Sequence, residues 1–242
     1  METLNDLVGY DNLKIYQNEE WFRFSLESIL LPNFVTINLR DKVILDLCSG
    51  NAPIPLVLST RTKAKIYGVE IQKEVCNLAN KSIQFNKLDK QISMINDDLK
   101  NLGNYFLGDK IDLITVNPPY FKKNSSSIIN KDKHKTIARH EDCVELEDII
   151  KIARYLLKNN GRLALIHRTE RLVEILLLLQ NNGFVPKKLQ FIYPKEGNPS
   201  KLFMIEAVKN GRVGLKLYPP LFVHNADGSY KEEILKIFQR GD

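Results

Sequence analysis

No stretch of this 242-residue chain is apolar for long enough to cross a membrane. The longest run is Ile175–Leu179, against the roughly 18–20 residues that a span needs. The first residues, Met1-Glu-Thr-Leu-Asn-Asp6, are acidic and lack an apolar signal region, so a secreted precursor is not expected. Cysteine is scarce. Cys48, Cys76 and Cys143 are odd in number and widely spaced, which excludes a disulfide framework and a Cys-x-x-Cys metal site and suits a reducing cytosol. Two glycine-rich signatures are missing as well. Gly-x-x-x-x-Gly-Lys-Ser/Thr does not occur, and Gly50 stands alone where Gly-x-Gly-x-x-Gly would begin. What is present is ordinary for a globular protein: 43% apolar, 26% charged and 9% aromatic residues. A chain this long buries about 70–75% of its extended surface, so a substantial core is expected.

The charge is uneven. The net value is +6, yet residues 1–40 carry three basic residues against six acidic ones, so the excess lies beyond them. Of the 35 basic residues, 25 are lysine, which an AT-rich coding bias alone can produce. Position says more than number. Between 120 and 140 there are six basic residues, Lys122, Lys123, Lys131, Lys133, Lys135 and Arg139, against the single acid Asp132. Such a run is either a solvated surface or a loop that meets phosphate.

From residue 43 onward, short apolar runs alternate with longer amphipathic ones. Val43–Leu47, Lys65–Glu70, Ile92–Ile95, Lys110–Val116 and Arg162–His167 read as buried strands. Helices are expected from about Pro55–Ser59, over Lys73–Asn86, over Leu146–Leu157 with Asn159-Asn-Gly161 as its C-terminal cap, and over Thr169–Asn182. Lys188–Tyr193 and Phe203–Lys209 follow each other without a helix between them, which implies a hairpin. The pattern predicts an α/β, Rossmann-like fold with a mostly parallel seven-stranded sheet and one antiparallel edge strand. A single domain spanning 1–242 is expected, with 1–40 as an N-terminal cap and 41–242 as the core. The cap shows no strand alternation, and Trp21–Phe34 suits a helical or irregular cover over one end of the sheet. Lys122–His140 is the least structured stretch, and a loop that long is usually functional or disordered.

Ligands of open parallel sheets bind outside the carboxyl ends of the strands, and four such ends carry chemistry here. The first is Asp46-Leu-Cys-Ser-Gly50, where a carboxylate suits a ligand amine and Gly50 allows close backbone approach. The second is Glu70, able to accept two hydrogen bonds from a ribose diol. The third is Asn96-Asp97-Asp98, where a carboxylate can meet an adenine amino group or simply cap the next turn. The fourth is Asn117-Pro118-Pro119-Tyr120. Two prolines remove two donors and stiffen the turn, leaving the Asn117 amide oxygen and the Pro118 carbonyl as acceptors for a planar –NH₂ group. Tyr120 adds a face on which that plane can stack. An amine, a ribose and an adenine occur together in S-adenosylmethionine, whereas a dinucleotide would want a glycine-rich phosphate turn.

With Asp-Leu-x-x-Gly, the downstream acidic strand end and Asn-Pro-Pro-Tyr in this order, the chain resembles class I S-adenosylmethionine-dependent methyltransferases that act on planar amino nitrogens. Phe24–Leu31, Asp46–Pro53, Gly68–Gln72, Asn117–Phe121, Ala138–Glu141 and Leu217–Leu221 are similar to the bacterial tRNA (adenine-N6)-methyltransferases, which modify an adenine beside the anticodon of a valine tRNA. Two departures stand out: Gly50-Asn-Ala52 replaces the usual Gly-x-Gly, and Glu27 stands where the family has Asp. The resemblance implies that Asp46, Gly50, Glu70 and Asp98 hold the cofactor, with Asp97 the alternative to Asp98. It implies that Asn117, Pro118, Pro119 and Tyr120 form the catalytic turn. Lys122, Lys123, Lys131, Lys133, Lys135, Arg139 and His140 become the expected RNA contacts, and His167 reads as structural. tRNA is the expected partner, a metal is not needed, the location is cytoplasmic, and the size is compatible with a monomer.

Asn-Pro-Pro-Tyr also occurs in glutamine methyltransferases of release factors and in DNA adenine methyltransferases. The former usually carry a longer N-terminal helical domain and the latter a target-recognition domain, for neither of which 242 residues leave room. A non-catalytic RNA-binding module on the same fold is the alternative from a different class, and the intact Asn117–Tyr120 and Asp46 argue against it.

Overall fold

The computed structural model describes residues 1–18, 21, 25–119 and 145–238. Its centre is a twisted sheet in which five strands run parallel: β3 (Val43–Leu47), β4 (Lys65–Val69), β5 (Ile92–Ile95), β6 (Ile111–Val116) and β7 (Leu157–Arg168). Each expected strand is found within a few residues of its predicted bounds. β8 (Phe184–Tyr193) and β9 (Leu202–Lys209) complete seven strands in the order β8-β9-β7-β6-β3-β4-β5. β9 is antiparallel to both neighbours and sits between β7 and β8, one place inside the edge. The two-residue strands β10 (Lys216–Leu217) and β11 (Leu221–Phe222) add to the outer side of β8.

Successive residues of the strands face opposite layers, as strand geometry requires. Ile44, Leu113, Ala164 and Ile166 pack with α1 (Glu27–Phe34), α2 (Pro53–Arg61), α3 (Lys73–Phe85) and the C-terminal α6 (Glu232–Phe238). Leu45, Leu47, Ile114, Val116, Leu163 and Leu165 pack against α4 (Leu146–Leu156), α5 (Leu172–Asn181) and the 3-10 turn Leu99–Asn104. The chain lays β3, β4 and β5 down in one direction and then returns to place β6 on the other flank of β3. That reversal leaves a crevice between the carboxyl ends of β3 and β6.

Two segments differ from expectation. The first 18 residues form an antiparallel hairpin, β1 (Glu2–Leu7) and β2 (Tyr10–Asn18). Leu13, Ile15 and Gln17 are buried in alternation, with the more exposed Asn12, Lys14, Tyr16 and Asn18 beside them. β2 docks on α3 through Asn86, which accepts from the Lys14 amide and donates to its carbonyl. The second is Asn159-Asn-Gly161, which does not cap α4. The helix ends at Leu156 and β7 starts at once, with Asn160 left-handed (φ 62°) at a register shift against β6.

Candidate active site

The crevice at the β3–β6 reversal is lined first by the turn that leaves β3. Three of its five residues are left-handed: Cys48 (φ 55°), Gly50 (φ 57°) and Ala52 (φ 69°). Only glycine adopts that conformation without steric cost. The turn is closed by the Ser49 amide donating to Val69 O at 2.9 Å and the Ala52 amide to Ser49 O at 3.0 Å. It can lie this low because Gly68 has no side chain; a Cβ there would come within 2.7 Å of Ser49 Oγ and 2.6 Å of Met94 Sδ. On its outer side a Cβ on Gly50 would meet no atom within 4 Å, so the backbone faces open space. The buried Asn51 donates to Tyr16 O at 2.9 Å, which ties the turn to β2.

Beneath and beside the turn lie buried acids. Asp46 is fully buried, a layer below the surface, and accepts from Thr115 Oγ1 at 2.6 Å across the β3–β6 register. Its other oxygen, Oδ2, has no hydrogen-bond partner of good geometry. Burial pushes its pKa up to about 7, against the opposing influence of the Ser49 and Thr115 hydroxyls. Glu70, 7% exposed, accepts from the Gly50 amide at 3.0 Å and the Gln72 amide at 2.9 Å. Burial also raises its pKa, and these backbone donors oppose the rise. The Cys48 thiol is pushed up by burial and by the charges of Glu70, Asp46 and Asp98. A positively charged ligand group placed here would be favoured by all of them.

The end of β5 is polar in a different way. Asn96 Nδ2 donates to the carbonyls of Glu70 (2.8 Å) and Ile71 (3.1 Å), which pins the two strand ends together. Asp97 accepts from the Asp98 amide, Asn101 Nδ2 and Tyr105 Oη at 2.7–2.8 Å, and these bonds hold its carboxyl below the usual range. Asp98 caps the 3-10 turn through the Lys100 amide at 2.9 Å. The cap expected at this point is therefore present, and Asp97 is the more heavily engaged of the two acids.

On the opposite wall, β6 ends at Val116 and runs into Asn117-Pro118-Pro119. Leu47 and Val116 are register partners, so the proline turn stands directly beside the Cys48–Ala52 turn. Pro118 is buried and Asn117 half-buried. Asn117 Nδ2 lies 3.4 Å from the hydroxyl of Ser28, a buried residue of α1. Ser28 and Thr115 were not singled out from sequence. Thr115 carries no signal beyond being a strand hydroxyl, whereas Ser28 lies inside the Phe24–Leu31 stretch that carries the resemblance. Tyr120, Lys122, Lys123, Lys131, Lys133, Lys135, Arg139 and His140 lie outside the described residues. His167 is fully buried at the end of β7, where its Nδ1 accepts from the Arg168 amide at 2.8 Å. Burial and the nearby Arg171 lower its pKa to about 4, which fits a structural neutral imidazole. Among the described residues, no group of three or more His, Cys, Asp and Glu side chains is arranged to hold a metal ion.

Comparison with known proteins places this arrangement. Residues 38–189 match a family model described as a methyltransferase domain. A tRNA1(Val) (adenine(37)-N6)-methyltransferase of Porphyromonas gingivalis is 29% identical over 241 residues, covering 96% of this chain and 93% of its own length. A protein of the same description from Parabacteroides distasonis is 28% identical over 205 residues, 84% of this chain and 83% of that one. Among solved structures, a predicted O-methyltransferase from Agrobacterium tumefaciens superposes with a TM-score of 0.70 at 20% identity, covering 89% and 96% of the two chains. The tRNA m1G37 methyltransferase of M. jannaschii superposes with a TM-score of 0.61 at 16% identity, covering 87% and 57%. These solved structures share the fold.

Proposed function

The chain belongs to the methyltransferase domain family, and from that premise we propose that it methylates the exocyclic N6 amine of an adenine in tRNA, beside the anticodon of a valine tRNA, with S-adenosylmethionine as donor. One observation carries the reading: the Asn117-Pro118-Pro119 turn stands beside the left-handed Gly50 turn at the sheet's topological switch point. The relatives' names support the choice of tRNA, and the basic run at 122–140 suits a polyanion.

The residues present fit the cofactor. Gly50 offers bare backbone facing open space, and a cationic centre beside Asp46 and Glu70 would stabilise the ionised forms that burial disfavours. Glu70 is assigned to the ribose, because the Gly50 and Gln72 amides hold its carboxylate at the end of β4, beside the Gly50 turn. Asp98 rather than Asp97 is assigned to the adenine, because Asp97 already accepts from three donors. Asp46, wholly buried, acts through the turn rather than by contact. When bound, the cofactor supplies an electrophilic methyl group.

The protein's own part is positioning. The lone pair of an adenine N6 is delocalised into the ring, which makes it a weak nucleophile. Accepting its two hydrogens at Asn117 Oδ1 and the Pro118 carbonyl favours a tetrahedral nitrogen with its lone pair free. The contact of Asn117 Nδ2 with the Ser28 hydroxyl, 3.4 Å, ties the amide to α1 and limits its rotation. Tyr120 is proposed to stack on the flipped base. The proton shed after transfer leaves to solvent, and no side chain is required as a base. The 242 residues are taken as one domain, 1–40 capping the core of 41–242, and the protein as cytoplasmic; among the described residues no helix is long and apolar enough to cross a membrane.

The test is Asn117→Ala. Methyl transfer to tRNA should fall by at least about 10²–10³-fold, the usual cost of losing one group that stabilises the reacting atoms. Calorimetric affinity for S-adenosylhomocysteine should stay within about threefold of wild type. Near-wild-type transfer, or methyl incorporation into DNA or protein instead of tRNA, would overturn the assignment.

A further inference from the structure

A second polar cavity lies at the other end of the sheet. Asp109, Arg154, Lys158, Asn159, Lys209 and Asn210 line about 550 Å³. They come from the turn before β6, the last turn of α4, the start of β7 and the end of β9. At about 3.3 Å per residue, β6 alone puts roughly 25 Å between this cavity and Asn117. The methyl-transfer site uses none of these residues.

The lining holds three cations, one carboxylate, two amides and no apolar or aromatic side chain. Apolar ligands and stacked bases are therefore poor occupants. Two of the cations are already matched. Lys209, 7% exposed, is held by Asp109 Oδ1 at 2.7 Å and the Leu157 carbonyl at 2.6 Å, and Lys158 pairs with Asp112 at 2.6 Å. Arg154 acts on Asp109 only at a distance and makes no direct ion pair among the described residues. Its Nη1 is sealed from solvent and has no hydrogen-bond acceptor. Buried guanidinium N–H groups almost always have one. Counting Lys110 beside Asp109, the four cations Lys110, Arg154, Lys158 and Lys209 face the two carboxylates Asp109 and Asp112, a surplus of two positive charges. A basic residue in a helix's last turn is favoured by the helix dipole, but the dipole supplies no acceptor for the enclosed Nη1 of this half-buried side chain.

We propose that this cavity binds a phosphate group, with the Arg154 guanidinium as its principal contact. A planar fork of donors matches tetrahedral oxygens in pairs, which a lysine does not. The phosphate can belong to an RNA backbone or to a small phosphorylated molecule; the chemistry is shared, and the proposal is independent of the methyl-transfer reading.

Isothermal titration with pyrophosphate and with inorganic phosphate, against chloride at equal ionic strength, tests it on the full chain. Wild type should bind pyrophosphate, and Arg154→Ala should weaken that binding at least tenfold. Arg154→Lys should restore only part, while S-adenosylhomocysteine affinity, reporting an intact fold, stays the same in all three. Should Arg154→Ala fail to fold, Lys158→Met, at a half-exposed position, should still weaken pyrophosphate several-fold. Wild-type binding no better than chloride, or pyrophosphate affinity unchanged in the folded variants, overturns the site. Titrating tRNA over a range of salt identifies the source. A fall in affinity with a salt slope lower by about one in Arg154→Ala assigns an RNA phosphate. An unchanged tRNA titration with pyrophosphate binding lost assigns a small phosphorylated ligand.

Discussion

The two ends of the central sheet are made from the same strands and treat charge in opposite ways. At the carboxyl ends, Asp46 and Glu70 are buried with hydrogen bonds but without an ion pair, and burial raises both pKa values. At the amino ends, Arg154 of the cavity apart, buried charges are matched. Arg162 and Asp41, each with 6% of its side chain exposed, meet at 2.6 Å. Asp112 accepts from the Lys42 and Val43 amides and from Lys158. Burial alone would raise its pKa, yet those bonds hold it below the usual range. A fold selected only for stability would have no reason to leave one end uncompensated. The difference teaches that the carboxyl ends carry a standing electrostatic cost, which a cationic ligand relieves, and that the amino ends carry the stability.

The largest expected effect breaks the matched end. Arg162→Ala leaves Asp41 buried without its partner, and losing one member of a buried pair costs roughly 3–5 kcal/mol. Urea unfolding should show that loss, with affinity for S-adenosylhomocysteine unchanged in the folded protein. A loss under about 1 kcal/mol would mean that water screens this end, and the contrast between the two ends would collapse.

The next effect acts on the unmatched end. Asp46 has an ordinary value of 3.8 and is pushed up to about 7 by burial, so the fold favours its protonated form. The stability that this contributes is fully present below about pH 3.8 and is lost as pH rises through about 7. At about 1.36 kcal/mol per unit, the ionised form costs roughly 4 kcal/mol above pH 7. Asp46→Asn, neutral throughout, should remove that slope. Unfolding measured at pH 6 and pH 8.5 should find the variant gaining on wild type at the higher pH, while cofactor affinity falls. Parallel pH profiles would show that Asp46 does not carry the cost.

Much of this is legible in the sequence. Strands β3 to β6 announce themselves because strands buried on both faces are short apolar runs, stopped here by the Gly50 turn, Glu70, Asn96 and Asn117-Pro118. The acidic strand ends and the proline turn are legible for the same reason: chemistry collects where such runs stop. Three things are not. The β1–β2 hairpin alternates at Leu13, Ile15 and Gln17, but half of its surface is polar and resembles a solvated loop. The place of β9 between β7 and β8 depends on pairing across the sheet, which periodicity does not encode. Asn159-Asn-Gly161 has the composition of a helix cap and serves instead as an irregular start to β7, since a left-handed Asn suits either use.

The smallest effect sharpens the comparison at one residue. Ala52 replaces the glycine usual in the resembled family and sits at φ 69°, fully buried. A left-handed L-residue costs roughly 1–2 kcal/mol, and glycine's greater freedom in the unfolded chain returns about 0.5–1 kcal/mol of that. Ala52→Gly should therefore stabilise the protein by up to about 1 kcal/mol, read as a shift of the urea midpoint. Cofactor affinity decides what the strain is for. If stability rises and S-adenosylhomocysteine binds as before, the alanine is only a local cost carried beside Asp46 and Glu70. If stability rises and affinity falls, the buried methyl group props the turn in its binding shape, and the unmatched end of the sheet is strained in its backbone as well as in its charge. A fall in stability would show that packing of this methyl group outweighs its conformation.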